Sequence, residues 1–294
     1  MRVALLVVLA ATLCAFSEPG EAKEVFRKRS LYRDILVQES DGQRCMKFGI
    51  HDAGRQSCIS LSNPERLVFD YTRMLLGALY INPDPGRILV IGLGGGSVPG
   101  ALQALFPAAT IDCVEIDPAV AEVASAYFSF KPARNTRLHF QDGRVFVKRA
   151  AQKQAKYDLI ILDAFDHVYV PEHLLTKEFL REVRALLTEG GVVAANTFST
   201  SRLYDSESAT YSSVFGKFFN LKSENRVILA TTETLPTWDS LARNADALEA
   251  RFQRLGTGRD ALLPMFSLDV KWRAGTRILT DQYSPANLLN GGRY

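Results

Sequence analysis

The stretch that most constrains this chain is Arg87-Ile88-Leu89-Val90-Ile91-Gly92-Leu93-Gly94-Gly95-Gly96-Ser97. Its apolar half reads as a buried β-strand, and its second half as a glycine-rich turn that opens a helix. Four glycines within five positions let the backbone run close to a ligand, because no Cβ intrudes and positive φ is allowed. An acid follows at Glu115, in Asp112-Cys113-Val114-Glu115-Ile116-Asp117, twenty-three residues after Gly92. Strand, glycine turn, helix, strand and acid, in that order, form the βαβ unit that holds the ribose of a nucleoside. Gly92, Gly94, Gly95, Gly96, Ser97, Glu115 and Ile116 are therefore the candidate cofactor contacts.

Beyond this unit the pattern keeps alternating. Strands are expected at 110–116, 137–141, 157–162, 191–197 and 226–231, with a last one near 276–280. Helices are expected at 98–106, 118–128, 143–154, 176–187, 207–219 and 238–254. Leu159-Ile160-Ile161-Leu162 and Val192-Val193-Ala194-Ala195 are apolar on both faces, as strands covered by helices on two sides must be. Ahead of them, residues 31–62 alternate apolar and polar with turn punctuation, which is β-hairpin patterning. Asn63-Pro64-Glu65-Arg66 opens a helix expected to run through Tyr80. The fold class is α/β, a doubly wound, mostly parallel Rossmann-like sheet with a small N-terminal β-hairpin domain. Residues 23–63 form the β module and 64–294 the nucleoside-binding domain.

The 294 residues are 47% hydrophobic and 23% charged, with a net charge of +3. Lysines and arginines are interspersed with acids, so the chain carries no nucleic-acid footprint. Arg2 precedes Val3 to Phe16, fourteen mostly apolar residues, the length of a secretory signal and short of the about twenty residues a membrane span needs. The expectation is cleavage after Ala22 and export to the periplasm or beyond, with no integral span left. An uncleaved N-terminal anchor is the alternative, and Lys23 to Arg29 is read as a solvated start of the mature chain. Cys45 and Cys58 flank a hairpin turn at Ile50 to Gly54, in a register that sets them opposite one another. They form either a cross-strand disulfide, as an oxidising compartment allows, or two reduced thiols in a half-buried sheet. His51, His139, His167 and His173 make no metal pattern, the cysteine spacing makes no zinc site, and no metal is expected.

With these residues in view, the chain resembles the spermidine synthase (polyamine aminopropyltransferase) family, built on a class I methyltransferase-like fold, and within it a divergent, spermidine-synthase-like branch. The resemblance runs from about Leu31 to Leu289. It rests on Phe69-Asp70-Tyr71-Thr72-Arg73-Met74, Gly94-Gly95-Gly96, Val114-Glu115-Ile116-Asp117, Gln141-Asp142-Gly143-Arg144, Leu162-Asp163-Ala164-Phe165-Asp166 and Leu279-Thr280-Asp281-Gln282-Tyr283-Ser284-Pro285. It implies decarboxylated S-adenosylmethionine or S-adenosylmethionine as the nucleoside, a small amine as the acceptor, and dimerisation through the β module as a family habit.

The resemblance also implies roles. Glu115 binds the ribose hydroxyls; its competing reading is a strand-end acid. Asp142, with Gly143, takes the adenine amino group; its competing reading is a helix N-cap. Asp163 accepts a proton from the attacking amine, and Asp166 anchors the amine. Tyr71, Phe165, Tyr169 and Trp238 wall the substrate pocket, where aromatic faces favour sulfonium and ammonium groups, although each also reads as core. Three positions depart from the family. Ser97 stands where the family has an acid, Tyr71-Thr72-Arg73 where it has Tyr-Gln-Glu, and Gly77 where it has His. Arg73 is thus expected beside the amine site, repelling a cation or pairing with the carboxylate of full-length S-adenosylmethionine. A small-molecule methyltransferase and a non-catalytic nucleoside-binding protein are the alternative functions.

Overall fold

The computed structural model describes residues 22–49, 54–165, 170–200 and 202–290. The leader expected at 1–22 lies outside these residues except for Ala22. Four strands, β1 Lys23–Arg29, β2 Asp34–Ser40, β3 Gln43–Phe48 and β4 Arg55–Ser60, form an antiparallel sheet in sequence order. Asp41 and Gly42 join β2 to β3 with φ of 49° and 71°, the two positive values that a tight hairpin turn demands. The expected hairpins of residues 31–62 are thus present.

The second sheet contains β5 Arg87–Ile91, β6 Thr110–Glu115, β7 Thr136–Phe140, β8 Tyr157–Leu162, β9 Leu187–Phe198, β10 Phe219–Lys222 and β11 Asn225–Thr231, in the order β10-β11-β9-β8-β5-β6-β7. Neighbours from β7 to β9 pair in parallel, while β11 is antiparallel to both β9 and β10. Within this sheet β11 alone runs against the rest. The helices are α1 Asp70–Leu75, α2 Ala78–Ile81, α3 Ser97–Leu105, α4 Pro118–Tyr127, α5 Gly143–Gln152, α6 Lys177–Leu186, α7 Leu203–Phe215, α8 Trp238–Arg254, α9 Arg259–Leu262 and α10 Ala286–Asn290.

Alternation along β5 shows why the sheet is covered twice. Ile88 and Val90 enter a core with Leu79, Leu102, Leu241 and Phe252, whereas Leu89 and Ile91 enter a core with Phe146, Phe179, Val183 and Tyr211. The N-terminal sheet has its own cluster, in which Ile35, Val37, Met46 and Ile59 meet Ala119, Val120 and Val123 of α4 and Phe128 just beyond it. It is therefore bolted to the βαβ unit rather than tethered. Several helices start on side-chain caps: Asp117 accepts from the Ala119 N–H at 3.0 Å with Pro118 at the first helical position, and Thr176 accepts from the Phe179 N–H at 3.2 Å.

Four expectations need correction. Lys23–Arg29 is solvated, as expected, but it is no loose start of the chain: it forms strand β1, paired with β2. The helix expected over 64–80 is two short ones; Arg66 N–H closes a turn on the Asn63 carbonyl, Leu67 N–H bonds the Leu255 carbonyl, and the helix starts only at Asp70. The helix placed at 207–219 ends at Phe215, because Gly216 caps it with φ +74°, and the chain then forms β10. No strand forms at 276–280: β10 pairs with β11 at the sheet edge, and the C-terminal segment contributes an isolated bridge between Thr280 and Tyr283. The register of β3 and β4 pairs Cys45 with Cys58, and the two form a disulfide. Cys113 is a buried free thiol.

Candidate active site

Ligands of open α/β sheets bind beyond the carboxyl ends of the strands, where the winding direction reverses. Here that point lies between β5 and β8, and a cavity of about 790 Å³ opens there, within the usual size of a small-molecule site. Its walls include Gly92, Gly94 and Ser97 after β5, Glu115 and Ile116 after β6, Asp142 and Gly143 after β7, and Asp163 and Phe165 after β8. The N-terminal sheet closes it with Arg33, Asp34, Gln56 and Ser57.

The glycines divide into two groups. Gly92 has φ +99°, and a Cβ built on it would sit 2.1 Å from the Asp163 carbonyl oxygen, so a side chain there would push β5 and β8 apart. Gly94, at φ +52°, is open toward the cavity. Gly95 and Gly96, expected as ligand contacts, do not line the cavity. Cβ atoms there would meet Ser57 Oγ at 2.6 Å and the Phe130 ring at 2.3 Å, so these glycines let the turn pack against β4 and the segment after α4. Gly143 lines the cavity, and a Cβ there would lie 2.7 Å from Ile91 Cγ2.

Glu115 is held by the backbone it follows. Leu93 N–H donates to one carboxylate oxygen at 3.1 Å and Asp117 N–H to the other at 3.0 Å. Burial still pushes this carboxyl above its ordinary value, against those two N–H groups and the nearby Arg33. Asp142 is the helix N-cap that the competing reading expects, and it also lines the cavity. One oxygen caps α5 through Val145 N–H at 2.9 Å, and the other meets His173 Nε2 at 2.8 Å at the cavity wall. Burial raises this carboxyl, but the Val145 N–H and His173 outweigh it and hold Asp142 below the usual range.

Asp163 is partly buried at the cavity wall, and its Oδ1 accepts from Asn196 Nδ2 at 2.9 Å. Asn196 Oδ1 in turn accepts from Asn225 Nδ2 at 3.1 Å. Desolvation pushes the Asp163 carboxyl up to about 7, with the Asn196 amide pulling against it. Beside it, the Tyr71 hydroxyl is driven well above its ordinary value by burial and by the Asp163 charge, so it stays protonated. Tyr71, Phe165 and Gln56 also line a second cavity of about 560 Å³, which holds Asn196, Asn225, Asp70, Glu224 and Arg55. Two chambers thus share a wall of Tyr71, Gln56 and Phe165; Asp163 lines the larger one, and its partner Asn196 lines the smaller.

Asp166 and Tyr169 lie outside the described residues. Trp238 lines neither chamber; it is 49% exposed and packs edge-on against Phe219 at 5.6 Å. The reversal of β11 explains this, since the chain leaves that strand at the edge opposite the site. Arg73 does not face the cavity either. It forms an ion pair with Asp70 and donates to the Leu67 carbonyl at 3.0 Å. Gly77 has no room for a larger residue, since a Cβ would lie 2.9 Å from the Met74 carbonyl oxygen. Asn196, Asn225, Gln56 and Ser57 are additional site residues. Asn196 carries a visible signal, an amide closing the apolar run Val192-Val193-Ala194-Ala195, where an unpartnered polar group would be costly. Among the described residues no cluster of His, Cys, Asp and Glu is arranged to hold a metal ion.

Residues 68–239 match the family described as the spermine/spermidine synthase domain. A polyamine aminopropyltransferase of Vibrio vulnificus is 47% identical over 293 residues, covering 97% of this chain and 98% of that protein. The chain belongs to the spermine/spermidine synthase family. A solved spermidine synthase in complex with the transition-state analogue AdoDATO has the same fold, with a TM-score of 0.63 at 18% identity over 83% of this chain and 84% of that one. Human methyltransferase-like protein 13 in complex with SAH aligns with a TM-score of 0.53 at 28% identity, covering 64% of this chain and 90% of that one. Family membership and fold thus agree with the expected α/β, methyltransferase-like architecture.

Proposed function

We propose that this chain is an aminopropyltransferase that moves the aminopropyl group of decarboxylated S-adenosylmethionine to a small amine, in polyamine biosynthesis. The carrying observation is the position of Asp163, a carboxylate on the wall of the larger chamber whose hydrogen-bond partner Asn196 lines the smaller one. The larger chamber has the size and the strand-end acids for the nucleoside, with Glu115 at the ribose and Asp142 at the adenine. Gly92, Gly94, Ser97, Ile116 and Gly143 frame it. The smaller chamber, entered past Tyr71 and Phe165, receives the acceptor.

The chemistry follows from the charges. An ammonium has no lone pair, so the acceptor reacts as a neutral amine. Its nitrogen forms a bond to the aminopropyl carbon next to sulfur; the carbon–sulfur bond breaks, and its electron pair leaves on sulfur as a neutral thioether. The new secondary ammonium gives its proton to Asp163. Alignment of amine, carbon and sulfur in line supplies much of the rate. Asp166 acts as the amine anchor in this reading.

Arg73 is neutralised by Asp70, which removes both the repulsion of a cationic acceptor and the pairing with a cofactor carboxylate that favoured methyl transfer. Export is part of the same proposal. It is supported by the apolar run Val3 to Phe16 and by the Cys45–Cys58 disulfide, a bond at home in oxidising compartments. Calorimetric titration of residues 23–294 with decarboxylated S-adenosylmethionine, S-adenosylmethionine and methylthioadenosine tests the function. The decarboxylated form binds best, and Asp163→Asn abolishes transfer while retaining that binding. Preference for the full-length form points to a methyltransferase, and binding without turnover points to a nucleoside-binding protein.

A further inference from the structure

We infer that Asn196 and Asn225 are positioning residues for Asp163, a two-amide relay that presents one fixed oxygen of the carboxylate to the acceptor amine. The inference rests on the reading of Asp163 as the proton acceptor. The relay crosses three strands: Asp163 follows β8, Asn196 lies on β9 and Asn225 begins β11. Each amide donates to the next group along, Asn225 to Asn196 at 3.1 Å and Asn196 to Asp163 at 2.9 Å.

An asparagine amide has nearly the same shape either way round, so its neighbours decide which end points where. Asn225 supplies a donor to Asn196 Oδ1, which leaves the Asn196 NH₂ end for Asp163. Without Asn225, Asn196 is free to turn its carbonyl oxygen toward a carboxylate. Asn196 is buried, with both ends of its amide in use. With Oδ1 of Asp163 engaged by Asn196, the relay assigns the other oxygen to the amine.

Among the described residues, these titratable and charged groups surround Asp163 and the two chambers. Tyr71 faces Asp163 from α1. Glu115 follows β6, Asp142 and His173 stand across the larger chamber, and Arg33 and Asp34 come from the N-terminal sheet. Arg55, Asp70 and Glu224 belong to the smaller chamber. Burial drives Asp163 upward, and the Asn196 hydrogen bond is the opposing influence that keeps it usable as a base near neutral pH.

The test is the pH dependence of kcat/KM for the whole protein, with decarboxylated S-adenosylmethionine and 1,4-diaminobutane. Carboxyl ¹³C titration of ligand-free Asp163, assigned by its loss in Asp163→Asn, runs alongside. A hydrogen bond to a charged group sets the scale, so Asn196→Ala moves the acid limb and the ¹³C midpoint up by about one pH unit. Activity below the limb falls about tenfold and recovers above it. Asn225→Ala moves both the same way by less, and Asn225→Gln, which keeps a donor, lies nearer the wild type. A loss equal at every pH, with an unmoved ¹³C midpoint, overturns the relay and leaves the asparagines structural. Turnover surviving in Asp163→Asn overturns the base assignment instead, whatever the asparagine variants do.

Discussion

Replacing Cys45 and Cys58 together by alanine isolates the covalent contribution to the site's front wall. The bond links positions 13 apart in sequence; loss of a loop constraint of that size costs about 3 kcal/mol when the unfolded chain regains its freedom. For a chain of this length each kcal/mol is worth roughly 2–4 °C, so the melting temperature falls by about 6–12 °C. The loss is not confined to the hairpin. Its core residues Met46 and Ile59 pack on Val120 and Val123 of α4, and Ser57, next to Cys58, abuts the glycine turn at Gly95. Nucleoside affinity therefore falls with stability. The assay is calorimetric unfolding of wild type, wild type with reductant, and the double variant, followed by titration with methylthioadenosine. Reductant lowers the wild-type transition to that of the variant and leaves the variant unchanged. A wild type whose disulfide is verified by thiol titration, yet which melts at the same temperature with or without reductant, refutes the reasoning.

Three further outcomes are expected. Gly92→Ala places a methyl against the Asp163 carbonyl at positive φ, so it destabilises the fold by more than the about 1–2 kcal/mol of the backbone alone and weakens nucleoside binding, both read by thermal unfolding and calorimetry. Asp163→Asn is more stable than wild type at pH 8 and equal to it at pH 3. Desolvation pushes the folded carboxyl from an ordinary 3.8 up to about 7, so its contribution, complete below the lower value, is lost as pH rises to the upper one; equal melting temperatures at both pH values would contradict the desolvated base. Trp238→Ala leaves the kinetic constants for the amine unchanged, since the ring packs on Phe219 away from both chambers; a raised KM for the amine would return Trp238 to the site.

The legible part of this chain was whatever a period or a turn residue encodes locally. β5, β8 and α8 lie where the apolar runs and caps put them, because buried strands and capped helices write their limits in the sequence. Gly92, Glu115, Asp142 and Asp163 were legible for the same reason, as strand-end residues at the carboxyl edge. What was not legible depended on partners distant in sequence. β1 becomes a strand only because β2 offers it an edge. Arg73 turns from the site because Asp70 lies three residues earlier on the same helix face. Trp238 is expected at the pocket from the family resemblance, but the direction of β11 decides which edge of the sheet it reaches. Asn225 has no local signal at all, since its meaning is the amide on β9 that it meets.

The reversed strand has one more consequence. Because β11 begins where its neighbours end, the tight β10–β11 connection Ser223-Glu224 sits on the rim of the smaller chamber, while the glycine turn and the acids after β6 and β7 serve the larger one. Under the proposed function, changes in that short connection reshape the acceptor side without disturbing the nucleoside side. An evolving lineage, or a protein engineer, can therefore exchange one amine for another by editing a solvent-facing turn, leaving the inherited cofactor half untouched.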